Sequence, residues 1–374
     1  MADIVYLDHA ATSPMSGAAR EAYLLASEVA ANASSVHSLG RKAKLRLEEA
    51  RNDILSGVNA VGIGGLVFTS GGTEANALAL HQAQGYDYVV VSAGEHDSLY
   101  NAALSPVIAP LKASGQVDLA ALEALLAAHE GRPFVCIMLV NNETGVINNV
   151  AKASDIVHAR GGWLHVDAVQ ALGKMTVDFA ALSVDSMSVS AHKIGGGQGV
   201  GAFIYNRDHT PRALITGSGQ ELGMRAGTEN IAGICAFAAA MRACAPPDES
   251  LKAAQKSVEQ ALKEAGISIL GEEVDRVPGI LYIAQPDWPS SLQLIHMDMA
   301  GICVSSGSAC SSGKVKASRV VTAMGHADLA SNVLRISGGS TNKPEDWQTF
   351  LSVWTQGYDT YLQRHKRNTI KELA

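Results

Sequence analysis

The chain has 374 residues and carries 29 basic and 36 acidic side chains, for a formal charge of −7. That length suits two domains with a large core, and 47% hydrophobic with 17% charged residues is the balance of an ordinary soluble α/β protein. The acidic balance without a basic stripe excludes nucleic acid as a direct partner. No run of about 18 apolar residues is present, which excludes a helical membrane span.

Taken in order, the chain opens on a polar segment, Tyr6-Leu-Asp-His-Ala-Ala-Thr-Ser-Pro14, ahead of a helical stretch at 16–27. Residues 32–40 read as a loop, and 41–55 return to helical period. Leu66-Val-Phe-Thr69 reads as a strand running into Ser70-Gly-Gly-Thr-Glu-Ala-Asn76 and an Ala/Leu helix. Strands are predicted at 88–92, 134–140, 163–166, 186–189 and 202–205, with helices at 119–129 and 153–160 among them. That alternation predicts an α/β fold, a mostly parallel sheet sandwiched by helices. A helical stretch at 227–243 ends before Pro246-Pro247, a boundary. A helix at 250–265, strands at 268–270 and 279–284 and a long helix from 344 to about 364 then predict a smaller α+β domain. The basic run Arg364–Arg367 reads as the solvated end of that helix.

The chemistry starts at Ser188-Val-Ser-Ala-His-Lys193, which leads into the glycine-rich Ile194-Gly-Gly-Gly-Gln-Gly-Val-Gly201. A lysine at a strand end, approached closely by backbone, is either a surface lysine before a flexible loop or a nucleophile. As a nucleophile it needs a confined site and a carbonyl partner, which pyridoxal 5'-phosphate supplies as an aldehyde. Gly71, Gly72 and Thr73 form either a plain capped helix start, with Thr73 at the N-cap, or a phosphate cradle. Asp167, at the end of a predicted strand, either caps the next helix or faces a cation such as a protonated pyridine. Gln170, three residues on, could then donate to the cofactor's phenolate oxygen. His96 is either a solvated loop histidine or a ring-stacking proton carrier. Thr73, His96, Asp167 and Lys193 all fall at carboxyl ends of predicted strands, where open α/β sheets bind ligands.

Arg335, inside the apolar Leu334-Arg-Ile336, is either a structural ion-pair partner or a fork for a carboxylate. Five cysteines, at 136, 235, 244, 303 and 310 and without a CxxC pair, read as reduced thiols of a cytoplasmic protein. Asp3 and the lack of a basic, then apolar, start argue against a secretory leader. Without a HExxH pattern no metal site is indicated. Cys136, Cys235 and Cys303 sit in apolar runs and read as packed. Cys244 reads as inert. Cys310 differs: it lies within Ser305-Ser-Gly-Ser-Ala-Cys-Ser-Ser-Gly-Lys314, a small-residue loop that presents an accessible thiol.

Together these motifs, with Val140-Asn-Asn-Glu-Thr-Gly145 and Gly94-Glu-His96, resemble the cysteine desulfurases of the class V aminotransferase group, fold-type I pyridoxal-phosphate enzymes. The Ser-Ser-Gly-Ser-Ala-Cys motif is similar to that of the first group of the family. The resemblance implies that residues 1–14 join a small domain of residues 246–374, which carries the cysteine loop, beside a large domain of residues 15–245. It implies that Lys193 holds the cofactor, Asp167 pairs with its ring nitrogen, His96 stacks on its ring and Gln170 reaches its ring oxygen. Gly72, Thr73, Ser190 and His192 would hold the phosphate, and Thr228 that of a partner subunit, which implies a homodimer. Asn142, Arg335 and Asn32 would receive the carboxylate of L-cysteine. Lys193, His96 and Cys310 would be catalytic, with Cys310 carrying a persulfide to a sulfur acceptor such as an iron–sulfur scaffold.

The same cofactor would serve a selenocysteine lyase or a class V aminotransferase, and a sulfur-delivery scaffold would need no intact lysine. Several positions depart from the family pattern: Ala33 after Asn32, where the family usually shows Asn-Pro, Gln220 and Leu222 in Gly217-Ser-Gly-Gln-Glu-Leu-Gly223, and Ser340 after the arginine strand. The last three bear on dimer-side contacts and on the partner surface.

Overall fold

Residues 4–29, 31–307 and 316–372 are described by the computed structural model, with side chains as far as Arg364; Cys310 lies outside the described residues. The chain begins with β1 (Val5–Tyr6), α1 (Gly17–Ser27) and α2 (Ser38–Gly57). A seven-stranded sheet then builds up from β2 (Gly64–Thr69), β3 (Tyr88–Ser92), β4 (Val107–Ala109), β5 (Pro133–Met138), β6 (Trp163–Asp167), β7 (Ser186–Ser190) and β8 (Gly201–Asn206). Its spatial order is β2-β8-β7-β6-β5-β3-β4. Neighbours from β7 through β4 run parallel, whereas β8 is antiparallel to both β2 and β7. Hence β2 points the same way as β7, and the carboxyl ends of six strands share one edge. Strands β2, β5, β6 and β7 are buried along their whole length, as expected of strands covered on both faces.

Helices α3 (Gly72–Gln82), α4 (Asp97–Tyr100), α5 (Leu119–Ala128), α6 (Val150–His158), α7 (Phe179–Leu182) and α8 (Ile231–Ala243) follow in the same region. Local caps set several boundaries that periodicity placed elsewhere. α8 starts at Ile231 rather than 227 because Asn230 Oδ1 accepts from Gly233 N at 3.1 Å. α2 starts at Ser38 rather than 41 because His37 Nδ1 accepts from Gly40 N at 3.2 Å. Residues 139–140 leave the sheet after Met138 to form a turn in which Asn141 Oδ1 accepts from Glu143 N and Thr144 N, both at 2.9 Å.

The remaining chain carries α9 (Glu249–Glu264), β9 (Ser268–Ile269), β10 (Ile280–Ala284), α10 (Ser290–Met299), β11 (Ile302–Cys303), α11 (Arg319–Ala323), β12 (Val333–Ser337) and α12 (Pro344–Glu372). β12-β10-β9 form an antiparallel sheet. β1 returns to pair in parallel with β11, and Leu7 packs into the same apolar cluster as Leu281, Leu334 and Trp347. Cys136 is buried as expected, but Cys235 and Cys303 are only half-buried. The apolar neighbours of Cys303 along the chain mislead because its two-residue strand β11 pairs only with the two-residue β1.

The stretch containing Gln220 and Leu222 is held by an ion pair. Glu221 and Leu222 take left-handed backbone, φ +48° and +57°, which is unfavourable for side-chain-bearing residues. Glu221 offsets this with both carboxylate oxygens 2.9 Å from the Arg51 guanidinium and with Phe68 N donating to Oε2 at 2.9 Å. The Glu221 side chain is 2% exposed. Glu221→Ala leaves Arg51 without its buried counter-charge and is expected to lower stability by about 3–5 kcal/mol, read as a fall in the urea midpoint. An unchanged midpoint would show that the pair does not pin this stretch.

Candidate active site

Four of the predicted residues meet at one opening. Gly72, Thr73, Ser190 and His192 line a cavity of about 350 Å³, with Ala11 and Thr12 of the opening segment on its wall. Gly71, rather than Thr73, occupies the N-cap of α3; Thr73 lies in the first helical turn and is exposed. The correction has a steric cause. The cap falls two residues earlier, at Gly71, whose backbone lies against Gly201, where a Cβ would come within 2.5 Å of it. The unbonded N–H groups of the first turn of α3 then face the cavity edge with their partial positive charge. Ser190 Oγ is buried and has no hydrogen-bond partner, and a buried hydroxyl without a partner is costly unless a ligand supplies one.

Lys193 follows β7 in a short 3₁₀ turn. Its Nζ donates to the carbonyls of Ala10 at 2.6 Å and Ala11 at 2.7 Å. Gln170 Nε2 donates to the same Ala10 carbonyl at 2.8 Å, and Lys174 Nζ donates to Gln170 Oε1 at 3.2 Å. Asp167, at the end of β6, is buried; its Oδ2 accepts from Asn76 Nδ2 at 2.8 Å and its Oδ1 from Val169 N at 2.9 Å. No helix begins directly after it for the carboxylate to cap, since α7 starts only at Phe179. His96 caps α4 through Nδ1 and leaves the rest of its ring exposed.

Arg335 reaches the same region from β12. Nη1 donates to the Asn142 carbonyl at 2.8 Å and Nη2 to Asp8 Oδ1 at 3.0 Å, while the buried Nε has no partner. The guanidinium is thus both an ion-pair partner and an unfilled donor. Asn32 spends its Oδ1 on Ser34 N at 2.8 Å, in the loop ahead of α2. Thr228 is exposed and is not among the residues lining the cavity.

Residues 5–350 match the family described as Aminotransferase class-V. The chain belongs to that family. Among relatives of the same breadth, it is 33% identical to the IscS-like cysteine desulfurase of Mycobacterium tuberculosis, over 94% of this chain and 95% of that one. It is 34% identical to cysteine desulfurase IscS 1 of Archaeoglobus fulgidus, over 93% and 95%. The fold matches the NifS-like protein of Rickettsia africae with TM-score 0.89 and 33% identity, covering 96% of this chain and all of that one. It also matches SspA in complex with cysteine, with TM-score 0.76 and 26% identity, covering 89% and 98%.

The class V aminotransferases use pyridoxal 5'-phosphate, and the residues here fit it. The orphaned Ser190 hydroxyl and the start of α3 suit a phosphate. Gly72 leaves room that a side chain would take, since a Cβ there would lie 3.0 Å from Val169 Cγ2. Asp167 offers a carboxylate to a ring nitrogen, and Lys193 offers an amine. Among the described residues no group of three or more His, Cys, Asp or Glu side chains could hold a metal ion.

Electrostatics prepares that amine. Burial, and then the positive charge of Arg335, pull the Lys193 pKa down to about 8. Burial, reinforced by Lys193, takes Lys174 down to about 7. Burial lowers His192 to about 4, so the imidazole is neutral at pH 7. Three contributors had little mark in the sequence. Asp8 stands in the opening segment, Lys174 falls four residues after Gln170, and Asn76 closes a motif whose glycines draw the eye.

With its pKa lowered, Lys193 is uncharged, and so nucleophilic, above about pH 8 rather than above about 10.5. In cofactor-free protein, the rate at which Lys193 captures added pyridoxal phosphate should therefore rise with pH to a plateau with a midpoint near 8, absent in Lys193→Ala. A midpoint near that of an ordinary lysine would contradict the burial argument.

Proposed function

We propose that the protein is a cysteine desulfurase that converts L-cysteine to L-alanine and places the sulfur on Cys310 as a persulfide. The observation that carries this reading is the meeting of an amine of lowered pKa, Lys193, with an incompletely used guanidinium, Arg335, beside a cavity with a phosphate-ready rim. One group removes a proton, another grips an amino-acid carboxylate, and the third anchors the cofactor.

When bound, pyridoxal phosphate supplies an aldehyde carbon for imine chemistry and a protonated ring that draws electrons from the substrate's Cα. Ser190, His192, Gly72 and Thr73 hold its phosphate, Asp167 keeps its ring nitrogen protonated, and His96 covers its ring. Gln170 turns its amide to the ring oxygen. Arg335 and Asn142, joined by Asn32, orient the carboxylate of L-cysteine. Lys193, in its uncharged form, would remove the Cα proton. His96 handles the proton of the substrate thiol. The Cys310 thiolate would form an S–S bond to the substrate sulfur as the C–S bond breaks, the electron pair of that bond staying with Cβ, which takes up a proton to give alanine. The part given to Cys310 rests on the resemblance of its Ser305–Lys314 motif, since that residue lies outside the described ones.

A second copy of the chain completes the reading. Thr228 is exposed, and Leu222 and Ile215 near it are 89% and 41% exposed, apolar surface suited to a homodimer in which Thr228 reaches the partner's phosphate. The small domain is taken as residues 246–374 together with residues 1–14, and the large one as 15–245. A protein acceptor, such as an iron–sulfur scaffold, takes the sulfur in the cytoplasm. No helix among the described residues is long and apolar enough to cross a membrane.

Incubation with L-cysteine and a thiol reductant should yield alanine and sulfide in equal amounts; a keto acid instead would identify an aminotransferase. Cys310→Ala should retain the absorbance of the lysine-bound cofactor and lose sulfur transfer, and persistent full turnover would refute the persulfide role. Arg335→Ala should raise the KM for cysteine roughly thirty- to hundredfold, the worth of a charge-assisted pair. A KM within twofold of the original would remove Arg335 from the carboxylate site.

A further inference from the structure

Beneath the two ring-facing groups lies a connected set of buried polar side chains with no role in the chemistry described so far. Asn76, 1% exposed, is its hub. Its Nδ2 lies 2.8 Å from Asp167 Oδ2 and 2.9 Å from Ser98 Oγ, and its Oδ1 lies 3.1 Å from His165 Nε2. His165 is fully buried; its Nδ1 is 2.9 Å from Ser186 Oγ, which accepts from Trp163 Nε1 at 2.9 Å. At the other end, Ser98 Oγ is 2.8 Å from His96 Nδ1.

The direction of every hydrogen bond follows from one fact, that an ionised carboxylate only accepts. The amide edge of Asn76 facing Asp167 must therefore be its nitrogen, which leaves Oδ1 facing His165. That oxygen needs a donor, so His165 carries its proton on Nε2, and Ser188 Oγ at 3.2 Å accepts from the same N–H. His165 Nδ1 then accepts from the Ser186 hydroxyl, whose lone pair has taken the Trp163 N–H. The opposite tautomer would aim two N–H groups at Ser186 and leave Asn76 Oδ1 against a bare ring nitrogen. Burial lowers the His165 pKa to about 3, so the ring is neutral. Towards the site, the Ser98 hydroxyl has accepted from Asn76 and so donates to His96 Nδ1. Ser98 N, 3.1 Å away, also donates to that nitrogen.

We infer that Trp163, Ser186, His165, Asn76 and Ser98 form a one-way hydrogen-bond relay, oriented by the Asp167 carboxylate, that sets the tautomer of His96. Neutral His96 keeps its proton on Nε2, the nitrogen not engaged by the protein. The five relay residues are positioning residues, acting only through Asp167 and His96. The inference rests on the reading of those two as cofactor-facing groups, although the tautomer of His96 is a property of the protein alone.

The test uses the holoenzyme with 15N-labelled histidine, the His96 signals being assigned by their loss in His96→Gln. The expected spectrum has a pyrrole-type Nε2 and a pyridine-type Nδ1 for His96. Asn76→Leu, similar in volume but with nothing to donate to Asp167 or Ser98, should mix the His96 tautomers and speed cofactor loss on dialysis roughly tenfold. His165→Leu should do the same by freeing the Asn76 amide, whereas His165→Gln, which keeps an N–H towards Asn76, should restore both readouts. If His165→Leu does not fold, the contrast between Asn76→Leu and His165→Gln decides. A wild-type His96 protonated on Nδ1, or an Asn76→Leu protein unchanged in both readouts, overturns the relay. A protein that never binds pyridoxal phosphate would overturn the desulfurase reading while leaving the tautomer result standing.

Discussion

An amine can attack a carbonyl only while uncharged, and the architecture around Lys193 brings that form closer to neutral pH without leaving the amine unbonded. Its hydrogens go to two neutral carbonyls, those of Ala10 and Ala11, rather than to a carboxylate that would fix the charge. Burial and the Arg335 guanidinium then penalise the ammonium form. The opening segment is therefore part of the site, although it enters from the far end of the sequence. Its position depends on the pairing of β1 with β11 and on the bridge from Asp8 to Ser337.

The cleft gathers its charges from several elements. Lys193 follows β7, Arg335 stands in β12 and the Asp167 carboxylate ends β6, with Lys174 in the turns beyond it. Glu95 stands close by, fully buried, and burial first and Asp167 second raise its pKa to about 8. It is therefore protonated at pH 7 and adds no second buried charge beside Asp167.

Much of the main sheet was legible because its strands are short apolar runs punctuated by glycine and polar turns. β3 matches its predicted limits, 88–92, and β6 and β7 each gain one residue. Elements the sequence hid are those whose stability is not local. β4 has three residues and exists through its ladder to β3, and β11 has two and exists through β1. Caps decided the starts of α2 and α8, and a cap depends on one side chain rather than on a period.

The sequence by itself determined the chemistry on offer: a lysine before glycines, a carboxylate ending a strand, an arginine within an apolar strand and a Gly-Gly-Thr turn. Those signals are local, since each needs only a residue type and its immediate neighbours. Only the tertiary structure decided what each group faces. It put Asp8 against Arg335, gave Lys193 the carbonyls of a segment about 180 residues away, and moved the α3 cap from Thr73 to Gly71. It also joined Asp167 to His96 through Asn76. Protonation states and hydrogen-bond directions depend on partners brought together across the sheet, and no stretch of chain contains those partners in order.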